Sequence, residues 1–573
     1  MRLVHATLLF AISALLEVGA ISQALGQGAT YQTLAFQGEP APGGGKFLGF
    51  GLPAIGQDGT VAFSGYLQSE TAVEVSGKLG NLSIVAAAGD LAPLDSESAA
   101  KFSWFDLSSV SAEGKTAFSA EAYLGEGFRS GVWFQLGNQI ANAYTSEGYN
   151  PPGRPAFRSG SRLALKAETM VGGVVRSPQY DGFYHPVGAL FFGPPNDLRP
   201  VLAEGDSAPD FPAGATIDEI FTPYEEGYDY GAGSQVDMNE NSELAFKAIV
   251  KPVPYGTPEP VGVIYAGKPG GLKVVARDNW PAPGGGGHLT KLSTVPSISS
   301  NGRVAFSAWV ASADNYYPAV FAGFPGSLQR IVAGGDPVPT APEGVVFGRF
   351  DKVVINETGD VIFGAEIWYP NETSRYGIWI KRADGGPVLL AISGMTIDTP
   401  SGGQEVEWVD FAGPGTFNDL HQFVFRATTR EGEGVFIADT RPGTPIITVT
   451  NPRRRQDQVT QKRRIVIAGR AQDDTGIAKV EYKVVSVDPL GRKRDRKRVR
   501  RASAVQGVVE GTSNWSFRVP LKMGLNRIRI VATDRLGNVS EPCEFTVIRW
   551  KCECGDCAEG KRRNGRRHFR EHH

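Results

Sequence analysis

Short runs along this chain alternate apolar and polar residues at a period of two, and each run starts from a turn. The clearest is Asn356-Glu-Thr-Gly-Asp-Val-Ile-Phe363. The same phrase recurs as Asp58-Gly-Thr-Val-Ala-Phe63, Glu113-Gly-Lys-Thr-Ala-Phe118, Asn239-Glu-Asn-Ser-Glu-Leu-Ala-Phe246 and Ser299-Ser-Asn-Gly-Arg-Val-Ala-Phe306. Weaker copies end at Leu165 and Phe425, which makes seven copies about 60 residues apart. The gap between Leu165 and Phe246 is longer and must hold an insertion. A period of two predicts a strand with one buried face. Gly59, Gly114, Gly302 and Gly359 stand where a tight hairpin needs a positive φ, which glycine adopts without steric cost. Ser161, Ser242 and His421 hold that position in three copies, and those turns are expected to be strained or differently shaped.

Three further strands accompany each phrase. An aromatic one precedes it, as in Phe347-Gly-Arg-Phe-Asp-Lys-Val-Val-Ile355. One follows it, as in Gly131-Val-Trp-Phe, Gly377-Ile-Trp-Ile and Gly434-Val-Phe-Ile. The last reads Ile84-Val-Ala-Ala-Ala-Gly-Asp-Leu-Ala-Pro93, Val201-Leu-Ala-Glu-Gly-Asp-Ser-Ala-Pro209 or Ile331-Val-Ala-Gly-Gly-Asp-Pro-Val-Pro339. There an apolar strand ends in a Gly-Asp turn and a proline stop. Four strands per unit, seven times over, predict an all-β fold: a seven-bladed β-propeller. The last unit lacks its fourth strand, and Thr33-Leu-Ala-Phe-Gln-Gly-Glu-Pro-Ala-Pro42 near the start of the chain is a copy of it. An N-terminal strand closing the last blade would leave no free edge.

The ends of the chain change this picture. Residues 1–28 read as a secretory signal, with Arg2, an apolar run from Leu8 to Leu16 and small residues near Ala24-Leu-Gly26. That run is too short, and too soon interrupted by Glu17, to span a membrane, and no later stretch is long enough to cross a bilayer as a helix. The expected location is therefore periplasmic, cell-surface or extracellular. The chain holds 58 Lys+Arg and 60 Asp+Glu, but unevenly. Residues 441–573 carry 31 basic and 14 acidic side chains, and the remainder carries 27 and 46. An acidic ring, 29–440, is thus joined to a basic C-terminal part, and the two invite different partners.

After a linker at 441–445, residues 446–549 read as about seven strands of an immunoglobulin-like β-sandwich. Ala532-Thr-Asp-Arg-Leu-Gly-Asn-Val-Ser540 resembles the closing hairpin of bacterial immunoglobulin-like domains. Between its strands lies the basic loop 491–501, with Arg492, Lys493, Arg494, Arg496, Lys497, Arg498, Arg500 and Arg501. In an exported protein this loop either meets a polyanion of the envelope or matrix, without reading a nucleic-acid sequence, or serves only to keep the hairpin solvated. The tail 550–573 holds Cys552, Cys554, Cys557 and His568. Thiolates and imidazole at that spacing suit zinc, although an exported chain with an even number of cysteines favours disulfides, with Cys543 as one partner.

Other side chains are candidate sites. Residues 170–184 and 221–230 are expected as long loops over blades three and four. Tyr180, Phe183, Tyr184, Tyr224, Glu225, Glu226, Tyr228 and Tyr230 would stack on a sugar face and bond its hydroxyls. Asp90, Asp206 and Asp336 recur from unit to unit, which argues that they cap their own turns. Asp473, Asp474 and Asp534 at one end of the sandwich admit calcium, with turn capping again the simpler reading. No acid and base pair of a glycosidase is legible from spacing. His185, His288 and His421 sit in no triad or metal motif.

The tandem Asn-x-x-Gly-x-x-Ala-Phe phrase resembles the exported bacterial choice-of-anchor tandem-repeat family, over roughly residues 30–440. The nearest copies are Asn356 to Phe363 and Asn239 to Phe246, the second without the glycine. The resemblance implies export and attachment through a C-terminal module, and implies no activity for any residue. The chain departs from anchored members in having no C-terminal hydrophobic helix. Together these readings favour a non-enzymatic exported binding or scaffold protein. Its ring would present a ligand face, with polysaccharide as one class of ligand, and its basic part would hold an anionic surface. A propeller glycosidase or polysaccharide lyase and a structural surface-array protein are the alternatives.

Overall fold

A computed structural model describes residues 29–550, except 95–99, 146–164, 167–168, 181–183, 194–198, 221–235, 252–258, 442–444, 452–457, 474–476, 488–502, 511–513, 535–538 and the single positions 126, 138, 294, 314, 340, 372, 384 and 541. Every regular element among them is a strand. The chain divides into two compact units, Met1–Pro442 and Gly443–His573.

Among the described residues the first unit holds seven antiparallel sheets. We number them I to VII by the order of their inner strands in the chain. Sheet VI is representative: Val346–Ile355, Val361–Trp368, Ser374–Lys381 and Pro387–Ile392, each paired with the next. The second strands of the other sheets are Val61–Leu67, Thr116–Tyr123, Thr169–Tyr180, Leu244–Lys251, Val304–Ala311 and Gln422–Thr429. Sheet VII takes its outer strand from the start of the chain. Thr30–Phe36 pairs antiparallel with Gly432–Asp439, from Thr30 opposite Asp439 to Phe36 opposite Gly434.

The repeated phrase has a physical reason. Its terminal phenylalanines, Phe63, Phe118, Phe246, Phe306, Phe363 and Phe425, are all buried. Opposite them on the third strands lie Val75, Trp133, Tyr265, Phe321, Trp379 and Phe436. These pairs face from sheet to sheet. One apolar cluster joins I to II through Ala72, Phe102 and Trp133, and another joins III to IV through Leu190 and Phe246. IV meets V through Ala245 and Phe306. V, VI and VII share Ala305, Phe363 and Phe425, and VII meets I through Val435 and Phe63.

Sheet III departs from expectation. Residues 170–180 are a strand rather than a loop, because Thr169–Tyr180 pairs antiparallel with Tyr184–Gly193, Met170 opposite Gly193 and Tyr180 opposite Tyr184. The alternation of Met170, Val171, Val174 and Val175 suits a strand as well as an insertion. Leu165–Lys166 is a separate short strand, so the third copy does not run straight into its second strand.

The second unit has a three-stranded sheet of Ile446–Asn451, Arg464–Gln472 and Asn514–Pro520. Its five-stranded sheet holds Gln458–Thr460, Cys543–Arg549, Gly524–Asp534, Ile477–Val487 and Ser503–Glu510. Ile467, Trp515 and Phe517 of the first and Val480, Ile528, Ile530 and Val547 of the second share one core. That is two sheets packed face to face.

Candidate functional site

Each sheet of the first unit has a turn end, where the repeated phrase bends, and an opposite end beyond the buried phenylalanine. The two differ in what their polar side chains do.

At the turn end, Gly59, Gly114, Gly302 and Gly359 have φ near +80°. Ser242 and His421 take φ of +60°, so they keep the shape of the turn and bear the strain of a left-handed backbone. Ser161 lies outside the described residues. Three residues before most of these positions a side-chain oxygen accepts from the turn, whereas before Gly59 that place is Gly56 and Asp58 accepts from the Thr60 amide instead. Asn418 Oδ1 takes the amides of Leu420 (3.1 Å) and Gln422 (2.8 Å), and Asn239 Oδ1 those of Asn241 (2.9 Å) and Glu243 (3.0 Å). Ser111 Oγ does the same for Glu113 and Lys115. The asparagine amide then reaches the following sheet. Asn239 Nδ2 donates to the Ser299 carbonyl at 3.0 Å, and Asn418 Nδ2 to that of Gly56 at 3.0 Å. Asn301 Nδ2 reaches Glu357, whose amide donates to Asp419, whose own amide donates to Gln57. Here a cavity of about 100 Å³ is bounded by Ile55, Val110, Met238, Ile298, Ile355 and Phe417, one each from sheets I, II, IV, V, VI and VII.

The opposite end is built from departures from the repeat. Where sheets VI and VII meet, the rings of Tyr376 and Trp408 stack 5.2 Å apart at 16°, and Trp408 is 50% exposed. The Tyr376 hydroxyl donates to Asp351, 2.9 Å from Oδ1 and 2.7 Å from Oδ2. Both groups occupy the space over Gly364, where any Cβ would lie 2.1 Å from each of them. Lys352 Nζ is 2.6 Å from Asp410 Oδ1, and Arg426 Nη2 is 4.0 Å from Asp410 Oδ2. Arg426 also donates to the Phe50 carbonyl of sheet I at 2.8 Å, and the Phe50 amide donates to Glu433 at 2.6 Å. Asp351 keeps an exposed edge, and partial desolvation by its neighbours pushes its carboxyl above the usual range. Lys352 and the Tyr376 hydroxyl act against this, and Asp410 adds to it. Burial and the carboxylates of Asp351 and Asp410 hold the Tyr376 phenol well above its ordinary value.

Two positions elsewhere follow the same plan. Between sheets I and II, Tyr66 and Trp104 lie 5.0 Å apart, with Trp104 48% exposed. Burial and then Asp106 push the Tyr66 phenol up to about 12. In sheet V, Trp309 stacks on Tyr316 at 4.6 Å. Tyr66 and Trp309 each stand three residues past a buried phenylalanine, Phe63 and Phe306. Tyr376 is the cross-strand partner of Glu366, which holds that place after Phe363. Trp104 lies opposite Glu121, and Trp408 opposite Thr428, at the same level of their own sheets.

One buried acid lies apart from these. Glu74, on the third strand of sheet I, is wholly buried, and neither oxygen has a hydrogen bond of good geometry. Burial pushes its carboxyl up to about 8, and the nearby Ser108 hydroxyl only partly offsets this.

Of the residues singled out from sequence, Asp90, Asp206 and Asp336 cap their turns, accepting from the amides of Ala87, Ala203 and Ala333 at 2.8–2.9 Å. His421 Nδ1 is 3.3 Å from Asp360 Oδ2 of the neighbouring sheet. Tyr180 and Tyr184 face each other across the sheet III hairpin, but nothing beyond their backbone is described. Phe183, Tyr224, Glu225, Glu226, Tyr228, Tyr230, the eight basic residues from Arg492 to Arg501, Asp474, Cys552, Cys554, Cys557 and His568 lie outside the described residues. Among the described residues no group of three or more His, Cys, Asp or Glu side chains is placed to hold a metal ion. No helix among them is long and apolar enough to cross a membrane. Sequence reasoning missed Asp351, Lys352, Tyr376, Trp408 and Asp410. The available signal was an aspartate directly after an inward apolar residue in three units: Phe105-Asp106, Phe350-Asp351 and Val409-Asp410.

No curated protein matches this chain. A GH74 xyloglucanase from Xanthomonas campestris is similar at 10% identity, with 90% of this chain and 95% of that chain covered and a TM-score of 0.29. A lectin from Aleuria aurantia is similar at 10% identity over 60% of this chain and 95% of that chain, with a TM-score of 0.25. Likenesses of this degree carry no argument for fold or function. A family model covers residues 12–442, more than half of the chain, and the chain therefore belongs to that family of unknown function, DUF7453.

Proposed function

We propose that this is an exported, non-enzymatic glycan-binding protein. Its seven sheets form a closed seven-bladed propeller, and the end opposite the turns is its binding face. Closure is supported by the N-terminal strand in sheet VII, by the apolar cluster shared by VII and I, and by the turn-end cavity that six sheets bound. The observation that carries the binding reading is the half-exposed Tyr376–Trp408 stack above Asp351 and Asp410. A flat aromatic surface takes the C–H face of a sugar ring, and carboxylates beside it accept from hydroxyls.

Binding is favoured over glycoside hydrolysis by what the two carboxylates already do. A glycosidase needs an acid and a base or nucleophile facing each other across the bond to be cut. Here Asp351 holds the Tyr376 hydroxyl, while Asp410 is held by Lys352 and Arg426. The basic C-terminal part would attach the protein to an anionic envelope or matrix, in keeping with the resemblance to choice-of-anchor proteins.

The test is affinity electrophoresis of the mature chain through gels containing soluble polysaccharides: β-glucan, xyloglucan, arabinoxylan, galactomannan, dextran and alginate. Retardation by at least one of them, weakened about tenfold or more in Trp408→Ala, is expected. Migration unchanged in every gel would overturn the reading.

A further inference from the structure

The three aromatic pairs lie on adjoining sheets. Sheets V, VI and VII share one apolar cluster, VII and I share another, and I and II a third. The stack of Trp309 and Tyr316, that of Tyr376 and Trp408, and the pair Tyr66 and Trp104 therefore follow one another along the arc V–VI–VII–I–II. Tyr66, Trp104, Trp309, Tyr376 and Trp408 stand at the level three residues beyond the buried phenylalanines, and Tyr316 lies two residues further out, opposite Ala311. An aspartate lies one step deeper beside two of the pairs: Asp410 after Val409 and Asp106 after Phe105. A core position would not leave Trp104 and Trp408 half exposed. A repeat-wide structural device would recur in every sheet, yet the same level carries Ile249 opposite Glu219 in sheet IV.

The charges along this arc select against an acidic ligand. Three of its cations are already engaged: Lys352 and Arg426 with Asp410, and Arg430 with Glu405 and Glu407. Residues 1–440 carry 46 acidic and 27 basic side chains. A polyanion would meet repulsion here and attraction in the C-terminal part.

The geometry points to a row of three glycan subsites, Trp309/Tyr316, Tyr376/Trp408 and Tyr66/Trp104, which together bind one uncharged polysaccharide chain along the arc. This rests on the glycan-binding reading above and adds the ligand class, an extended neutral polymer rather than a terminal sugar or an acidic one. Separate weak stations on one rigid scaffold gain through effective concentration, so a polymer that spans them binds about 100-fold or more tighter than a fragment that fills one.

The experiment uses the full mature chain and its Trp104→Ala, Trp408→Ala and doubly substituted variants. Each is run through gels of the five neutral polymers and alginate, and then titrated with a size-fractionated hydrolysate of β-glucan. Circular dichroism melts confirm that each variant is folded. Both single variants should weaken retardation by the same neutral polymer, and the double variant should weaken it further. Affinity should climb with fragment length, and alginate retardation should vanish at high salt without responding to either substitution. If only Trp408→Ala matters and short and long fragments bind alike, the row is wrong and a single-site glycan binder remains. If no neutral polymer retards the wild type, the row falls, and retardation by alginate that depends on Trp408 would keep the broader reading. If no polymer retards it at all, both fall.

Discussion

The two ends of the seven sheets are made from the same strands and spend their polar groups in opposite ways. At the turn end, asparagine, serine and aspartate side chains repeat from unit to unit, and nearly all their bonds run to their own turn or to the next sheet. Asn418 alone accepts two amides and donates to Gly56 and to Gln422. At the opposite end the polar residues vary between units, gather at particular junctions and leave tryptophan faces open to water. In a repeat architecture a residue that recurs secures the neighbouring unit. One that breaks the pattern, yet is held in place by neighbours such as Gly364 and Asp351, is where a ligand is to be sought.

The contrast can be broken deliberately, and the largest effect should come from the shared framework. Phe363→Ala removes a fully buried ring from the cluster joining V, VI and VII and should cost about 3–5 kcal/mol in urea unfolding. Glu74→Gln comes next and depends on pH. The folded carboxyl is pushed up to about 8 from an ordinary value near 4.5. Its burial therefore carries no ionisation penalty below the unfolded value, and stability is lost as pH rises from there to the folded value. At about 1.4 kcal/mol per unit, the variant should gain a few kcal/mol over wild type at pH 9 and almost nothing at pH 4. Equal gains at both would show that the carboxyl is not the source.

Asn418→Ala should cost about 2 kcal/mol, since it strips two turn amides and the Gly56 carbonyl of their partner. The smallest change is Ser242→Gly, which removes left-handed strain at φ of +60° and should raise stability by up to about 1 kcal/mol. None of the turn-end substitutions should alter glycan retardation.

How much of this was legible in sequence follows the same division. The strands and turns were, because a two-residue period, a glycine at each bend and a terminal phenylalanine are local signals. The place of Thr30–Phe36 in sheet VII was legible because it reads as a missing fourth strand. The sheet III hairpin was misread as a loop, since its glycines and proline masked a strand-like alternation. The Asp351 cluster was not legible. Asp351, Tyr376 and Asp410 lie far apart in sequence, and only the junction of two sheets brings them together. Nor does any one of them look unusual beside its neighbours, and the turn aspartates, which do recur visibly, proved to cap their own turns.

The most direct test sets Trp408→Ala beside Asn418→Ala in the full mature chain, with unfolding free energy and retardation by neutral polysaccharide measured on both. Trp408→Ala should lose most of the retardation and stay within about 0.5 kcal/mol of wild-type stability, whereas Asn418→Ala should lose stability and keep its retardation. If Asn418→Ala, still folded under the assay conditions, loses binding while Trp408→Ala keeps it, the binding face lies at the turn end and the account is contradicted.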